Sequence, residues 1–161
     1  MATSTLIQNL NSTYVDGFGA SVGSGTATSH RGQFETFIAS STVAVGDAVA
    51  LDLSKSLDGD KMLYVLKADT DVATATTVVG VVTGSAQTDG ALTAGSKVTV
   101  CVSGLVLANV DGATVAGSTL CVGATGGQLA VYTNASVQPI VAIAQEADTA
   151  NFAKVFFIKQ F

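Results

Sequence analysis

The side chains that carry out most enzyme chemistry are scarce in this sequence. His30 is the only histidine among 161 residues, and it stands beside Arg31 in an N-terminal segment rich in Ser, Thr and Gly. A Ser-His-Asp or Cys-His arrangement would therefore need to take its base from that segment. One histidine and two cysteines also fall short of a tetrahedral zinc site, and no CxxC or HxxxH spacing occurs. We expect no catalytic residues, no metal site and no cofactor, and hence a protein that is not an enzyme.

The acidic residues come closest to a ligand set. Asp52–Asp60 places oxygen side chains at alternating positions, as a calcium loop does, but Leu63 stands where such a loop needs a bidentate Glu. A hairpin turn at Leu57–Asp60 explains the same residues better. Two further pairs of carboxylates have the composition of a glycosidase pair but lie in turn-like contexts, which favours solvated loop charges: Asp69 with Asp71, and Glu146 with Asp148.

The charge pattern argues against nucleic acid as a partner. The formal net charge is −5, and the few lysines are dispersed along the chain. Binding to phosphates requires a positive stripe. Charged residues make up only 12% of the chain, against about 25% in ordinary domains. Such a neutral surface favours burial against partners or against copies of the same chain.

Neither a secretory signal nor a membrane span is predicted. The N-terminus lacks a basic start followed by an apolar stretch, and no apolar run approaches the roughly 18 residues of a membrane helix. We expect a soluble protein made in a cytoplasm. The cysteines, Cys101 and Cys121, lie in Val-rich runs. A disulfide between them is possible, but buried free thiols are favoured in this setting.

From Phe34 onward the sequence predicts an all-β body, residues 34–161, compact as a barrel or sandwich. Short β-rich or alternating runs are separated by turn residues, and a short helical turn is possible at Glu146–Asn151. The predicted strands are Phe34–Ala39, Ala48–Leu53, Met62–Lys67, Val78–Val82, Lys97–Val110, Leu120–Val122, Leu129–Tyr132, Ile140–Gln145 and Lys154–Phe161.

One short pattern recurs where strands begin. The pattern begins with an apolar residue and two variable residues. A glycine follows, then either Asp or Ser, then one variable residue and a second apolar residue. Glycine permits a positive φ, and the following Asp or Ser can bond a nearby amide, so the pattern predicts a tight corner into a strand. It occurs in Val43–Leu51, Leu92–Val100 and Thr114–Val122. Ala124–Gly127 similarly predicts a hairpin turn.

Residues 1–33 predict an extended, flexible N-terminal arm. Ordering the arm costs about 1–2 kcal/mol per residue in backbone entropy, which its sparse apolar residues cannot offset alone. On a partner, the arm can add a strand to an exposed sheet edge while its apolar side chains fill pockets. An inert tail is the alternative. The anchors expected to contact a partner are Leu6, Ile7, Leu10, Tyr14, Val15 and Phe18.

The C-terminal run Lys154–Phe161 (KVFFIKQF) is prone to aggregation and is safest when covered. We predict that Phe157 and Phe161 lie at a subunit interface.

Most of residues 32–161 resembles the head decoration, or cement, proteins of tailed bacteriophages. The similarity rests on Gly32–Asp52 with its Gly-Asp corner, VVGVVTG (Val78–Gly84) and KVTVCVSGLV (Lys97–Val106). It continues in a Gly-rich hairpin (Ala116–Ala130) and the ending Pro139–Phe161. The arm carries no family signature.

The resemblance implies a β-tulip-like or small β-barrel domain that forms homotrimers on the outside of an icosahedral capsid. It implies further that an N-terminal segment pairs with the major capsid protein and stabilises the expanded shell. The expected location is the virion exterior, after synthesis in the host cytoplasm, with no nucleic-acid or membrane partner. Two other functions stay open: a different particle or surface structural protein, such as a fibre base or adhesin, and a carbohydrate-binding β module.

Overall fold

A computed structural model describes residues 32–133 and 138–158 of the chain. The six predicted anchors of the arm and Phe161 lie outside these residues. The prediction of an all-β fold is confirmed: the described residues form nine strands and two short helices. In chain order these are β1 (Gln33–Ala39), β2 (Ala48–Leu51), α1 (Asp58–Leu63), β3 (Tyr64–Lys67), α2 (Val72–Ala75), β4 (Val78–Ser85), β5 (Lys97–Asn109), β6 (Thr119–Val122), β7 (Leu129–Val131), β8 (Ala142–Ala144) and β9 (Phe152–Phe157).

The strands form one continuous sheet that closes on itself over part of its width. Its order is β1-β3-β2-β4-β5-β9-β8-β6-β7, and β1 also pairs with β5. Strands β1, β3, β2, β4 and β5 therefore make a ring, while β9, β8, β6 and β7 extend from the second half of β5. We call this extension, together with that half of β5, the second sheet.

The buried apolar residues, most of them Ala and Val, form two separate cores. One fills the ring with residues such as Val49, Val65 and Val100. The other lies between the wall of the ring and the second sheet, and it includes Ala48 and Phe157. Strand β2 is buried along its whole length, which explains why its sequence, AVAL, is continuously apolar and does not alternate.

Strand β5 belongs to both halves of the fold because it changes direction at one glycine. Before Gly104, β5 pairs with β1 and β4, and from Gly104 onward it pairs with β9. Gly104 has a φ of 115°, a conformation that side-chain-bearing residues rarely adopt. Val102 contributes to the core of the ring, whereas Val106 contributes to the second core. The bend therefore redirects the buried side of the strand.

The three predicted corners are confirmed. Their glycines, Gly46, Gly95 and Gly117, have φ values of 92°, 85° and 86°. In each corner the N–H after the glycine donates to the carbonyl three residues earlier, at 3.0–3.1 Å. The glycine N–H also donates, at 2.8 Å, to a carbonyl of a distant segment. Each corner thus both starts a strand and ties that strand to another part of the fold.

Two local predictions are wrong. Strands β2 and β3 do pair as an antiparallel hairpin, but Asp58–Leu63 between them is helical, with Lys61 paired to Asp58 at 2.9 Å. Conversely, Glu146–Asn151 forms no helix. Ala150 and Asn151 have positive φ values of 52° and 65°, and they close a tight turn into β9.

Candidate functional site

The most exposed apolar surface of the second sheet is built on β9. This strand alternates strictly: Ala153, Val155 and Phe157 are buried, whereas Phe152, Lys154 and Phe156 are exposed. A strand of period two that covers a core on one side must present its other residues outward. The sequence FAKVFF therefore places one phenylalanine inside and two outside.

The register of the neighbouring strands extends this surface. Phe156 pairs with Leu105 on β5 and with Ile143 on β8, so the three residues form a row across three strands. We call the whole set of outward apolar residues the outer apolar face; it consists of Leu105, Leu107, Ile143, Phe152, Phe156 and Ile158. Leu105, Phe152, Phe156 and Ile158 are 40%, 37%, 42% and 36% exposed.

Phe152 is held at one end of this face by a corner of the ring. A Cβ placed on Gly46 would lie 2.7 Å from Cε1 of Phe152. The aromatic side chain of Phe152 therefore packs directly over Gly46, where any larger residue would clash with it. The Gly46 carbonyl accepts a hydrogen bond from Asn109 N–H at 2.8 Å, and Asn109 pairs with Phe152. The corner thus fixes this end of the face to the ring.

The charge in the middle of the face is compensated within the chain. Lys154, opposite Leu107, lies with its Nζ 3.6 Å from Oε2 of Glu146. The Lys154 backbone N–H donates to Oε1 of the same carboxylate at 3.2 Å. The outer apolar face therefore carries a matched pair of charges and no net charge from this pair.

The prediction that Phe157 lies at a subunit interface is wrong. Phe157 is 0% exposed and belongs to the core between the ring and the second sheet. Its neighbour Phe156 occupies the exposed side. The signal that distinguishes them is Lys154, because a lysine of the same strand at an even position marks the even positions as outward. The arm anchors and Phe161 lie outside the described residues.

The carboxylates with catalytic or calcium-binding potential are used in local structure. Oδ1 of Asp69 accepts hydrogen bonds from Asp71 N–H at 2.8 Å and from the Thr74 hydroxyl at 2.6 Å. Asp148 accepts from Thr114 N–H at 3.2 Å. No three His, Cys, Asp or Glu side chains converge in a metal-binding group within residues 32–133 and 138–158.

Two buried aspartates hold the loops around β2. Asp47 accepts a hydrogen bond from Ala44 N–H at 2.8 Å and pairs with Lys67 at 2.9 Å. Asp52 accepts from the Ser40 hydroxyl at 2.6 Å and from the Ser54 hydroxyl and N–H at 2.5 and 3.1 Å. Both carboxylates therefore act as structural acceptors at the two ends of one strand.

Asp52 makes the stability of the body depend on pH. Burial disfavours its charged form, but the hydrogen bonds from Ser40 and Ser54 and the charge of Lys55 outweigh burial, so the pKa of Asp52 lies below its ordinary value of 3.8. A carboxylate whose pKa is lowered by folding stabilises the fold fully when the pH is above its ordinary pKa. This stabilisation is lost as the pH falls through the folded-state pKa.

We therefore predict that Asp52→Asn lowers the free energy of unfolding at pH 7 by about 1–3 kcal/mol. The difference from wild type should shrink as the pH falls below 3.8 and through the lower folded-state pKa, because Asp52 becomes protonated and loses its charge over that range. Urea unfolding between pH 2.5 and 7 tests this, with Asp58→Asn as control, since the Asp58 side chain is 97% exposed. A difference that stays constant with pH would contradict the prediction.

Both cysteines are free and buried, which confirms the prediction of buried free thiols. Burial raises the pKa of the Cys101 thiol to about 11, and its Sγ donates to the Ser103 carbonyl at 3.4 Å. Such a thiol is a poor nucleophile near neutral pH.

The sequence matches no family model and no curated protein. Of the two helices in the described part of the chain, neither is long and apolar enough to cross a membrane.

Proposed function

We propose that this chain is a structural protein of a bacteriophage particle. It binds the outer surface of the capsid as an oligomer, a homotrimer, and stabilises the expanded shell. The N-terminal arm, residues 1–33, pairs with the major capsid protein, and the β body carries the contacts between copies.

The observation that carries this proposal is the outer apolar face. Four of its residues, on β5, on β9 and just after β9, are between 36% and 42% exposed. Leaving such a face in water costs free energy, and contiguous apolar patches mark interaction surfaces in soluble proteins. Assembly into a particle covers the face.

The polar residues of the body support the same function. Asp47, Asp52, Asp69 and Asp148 each bind backbone or hydroxyl groups of their own chain. These bonds stiffen loops and corners. A scaffold of this kind suits a protein that must keep its shape on a shell under internal pressure, where many modest contacts add up.

The composition of the arm supports a role in binding. Its apolar residues come in pairs, Leu6-Ile7 and Tyr14-Val15, separated by Ser, Thr and Asn. Such a segment can lie along the edge of a partner's sheet while its apolar pairs occupy pockets.

Deleting residues 2–30 should leave a folded body that no longer binds expanded shells of the encoding phage. Co-sedimentation with shells that lack the protein measures binding, and circular dichroism measures folding. We expect at least about a 100-fold loss of affinity, since most of the shell contacts are assigned to the arm.

A full-length variant separates the anchors from the length of the arm. Replacing Leu6, Ile7 and Tyr14 by serine should weaken shell binding as the deletion does, whereas replacing Ser4, Ser12 and Ser24 by alanine should not. Shell binding by the deletion variant equal to that of the full chain would contradict the role of the arm. Failure of the full chain to bind shells would contradict the proposed function.

A further inference from the structure

We infer that the outer apolar face is the surface through which copies of this chain associate. The inference rests on the proposed function, in which the chain acts as an oligomer, and it assigns that oligomer an interface. The central residues are Leu105, Phe156 and Ile143, which form one row across three strands, with Leu107 and Ile158 beside them.

The size of the face fits the core of a protein interface. Given roughly 150–250 Å² for a large side chain, the four exposed residues leave about 300 Å² of apolar surface open to solvent. A standard interface buries about 800 Å² per partner, with an apolar centre and a polar rim. The face supplies such a centre, and polar residues at its edge, such as Asn109, supply part of the rim.

The charges on the face favour an identical partner. Copies that meet around a three-fold axis bring the same surface together at that axis, so a net charge on the surface would repel its own copies. Lys154 and Glu146 are paired within one chain at 3.6 Å, which removes this obstacle. The chain as a whole has a net charge of −5, whereas this pair adds no net charge to the face, so the pair does not oppose self-association.

The position of β9 in the sheet determines how copies meet. β9 is hydrogen-bonded to β5 on one side and to β8 on the other, so its backbone groups are already used. A partner cannot add a strand there. Association must therefore proceed by packing side chains against the face, with Phe156 at its centre between Leu105 and Ile143.

Light scattering after size exclusion tests the inference on the full-length chain. Wild type should elute as a trimer of about 48 kDa, three times the chain mass of 16.1 kDa. Phe156→Asp and Leu105→Asp should each weaken association at least about 30-fold and yield monomer at micromolar concentration. Phe156→Ser provides a milder variant should the aspartate disturb folding, which circular dichroism and urea midpoints report.

Leu57→Asp is the matched control. It makes the same change of residue and charge as Leu105→Asp at a site that is 65% exposed at the start of α1, away from β5, β8 and β9. The control should keep the mass of wild type.

Each outcome bears on one claim. A wild-type monomer at all concentrations, or an oligomer that survives both aspartate variants, would overturn the inference. A dimer that dissociates in Phe156→Asp would support the face and contradict the proposed trimer. An oligomer that dissociates in Phe156→Asp but never binds shells would support the face and contradict the capsid function.

Discussion

Replacing Phe157 by alanine should lower the free energy of unfolding by about 3–5 kcal/mol. Phe157 is completely buried and is one of the largest side chains in the core between the ring and the second sheet. Its removal takes away apolar contacts and leaves a cavity, because strands β8 and β5, which flank it, are fixed by their own hydrogen bonds. A loss of this size approaches the whole stability of a typical domain.

Phe156→Ala is the matched control, since it removes the same group from the adjacent residue on the opposite side of β9. Phe156 is 42% exposed. At a protein concentration low enough for the chain to be monomeric, its loss should cost less than about 1 kcal/mol. Urea unfolding followed by circular dichroism compares the two variants. Equal losses, or a larger loss for Phe156→Ala, would contradict the alternation on which the outer apolar face depends.

Gly80→Ala should destabilise the ring by about 3 kcal/mol or more, or prevent folding. Gly80 lies in the middle of β4 among buried valines. A Cβ there would press against the carbonyl oxygen of Cys101 and come within 2.6 Å of Cγ1 of Val100. Both contacts are with β5, the strand shared by the two halves of the fold, so the added methyl group must push apart a pair of hydrogen-bonded strands.

Gly84→Ala on the same strand supplies the comparison. A Cβ at Gly84 would meet nothing within 4 Å, and the residue is not fully buried. We expect the free energy of unfolding of this variant to lie within about 0.5 kcal/mol of the wild-type value. The urea midpoints of the two alanine variants should therefore differ widely. Similar midpoints would show that β4 does not approach β5 as closely as described.

The sequence was sufficient to predict the parts of the fold that depend on local chemistry. The corners at Gly46, Gly95 and Gly117 could be predicted because a positive φ requires glycine, and the adjacent Asp or Ser marks the turn. Strand β5 could be predicted because its valines alternate with Lys97, Thr99 and Cys101. These signals are contained within a few consecutive residues.

The orientation of the strands could not be predicted in the same way. Phe156 and Phe157 are adjacent, so composition alone does not say which of them faces the core. The bend at Gly104 changes which residues of β5 are buried, and it depends on the pairing of β5 with β9, a strand about 50 residues later. The subunit-interface prediction failed at Phe157 because it did not use Lys154, which marks the even positions of β9 as outward.

Short helices were also misjudged from local signals. Asp-Gly-Asp favours a turn, yet Asp58 and Asp60 in the first turn and Lys61 in the last suit a helix. The Ala-rich Glu146–Asn151 favours a helix, yet Glu146 and Asp148 bind Lys154 and Thr114 instead. Contacts that are distant in sequence outweighed local propensity in the second case.

Cryo-electron microscopy of the phage particle that carries this protein would test the proposed capsid function directly. We expect β bodies in threes on the outside of the expanded shell, with Leu105 and Phe156 at the contacts between copies. We also expect that residues 1–33 can be traced along the major capsid protein. A shell without these bodies, or bodies held to it with no contact from the arm, would show that the proposed function is wrong.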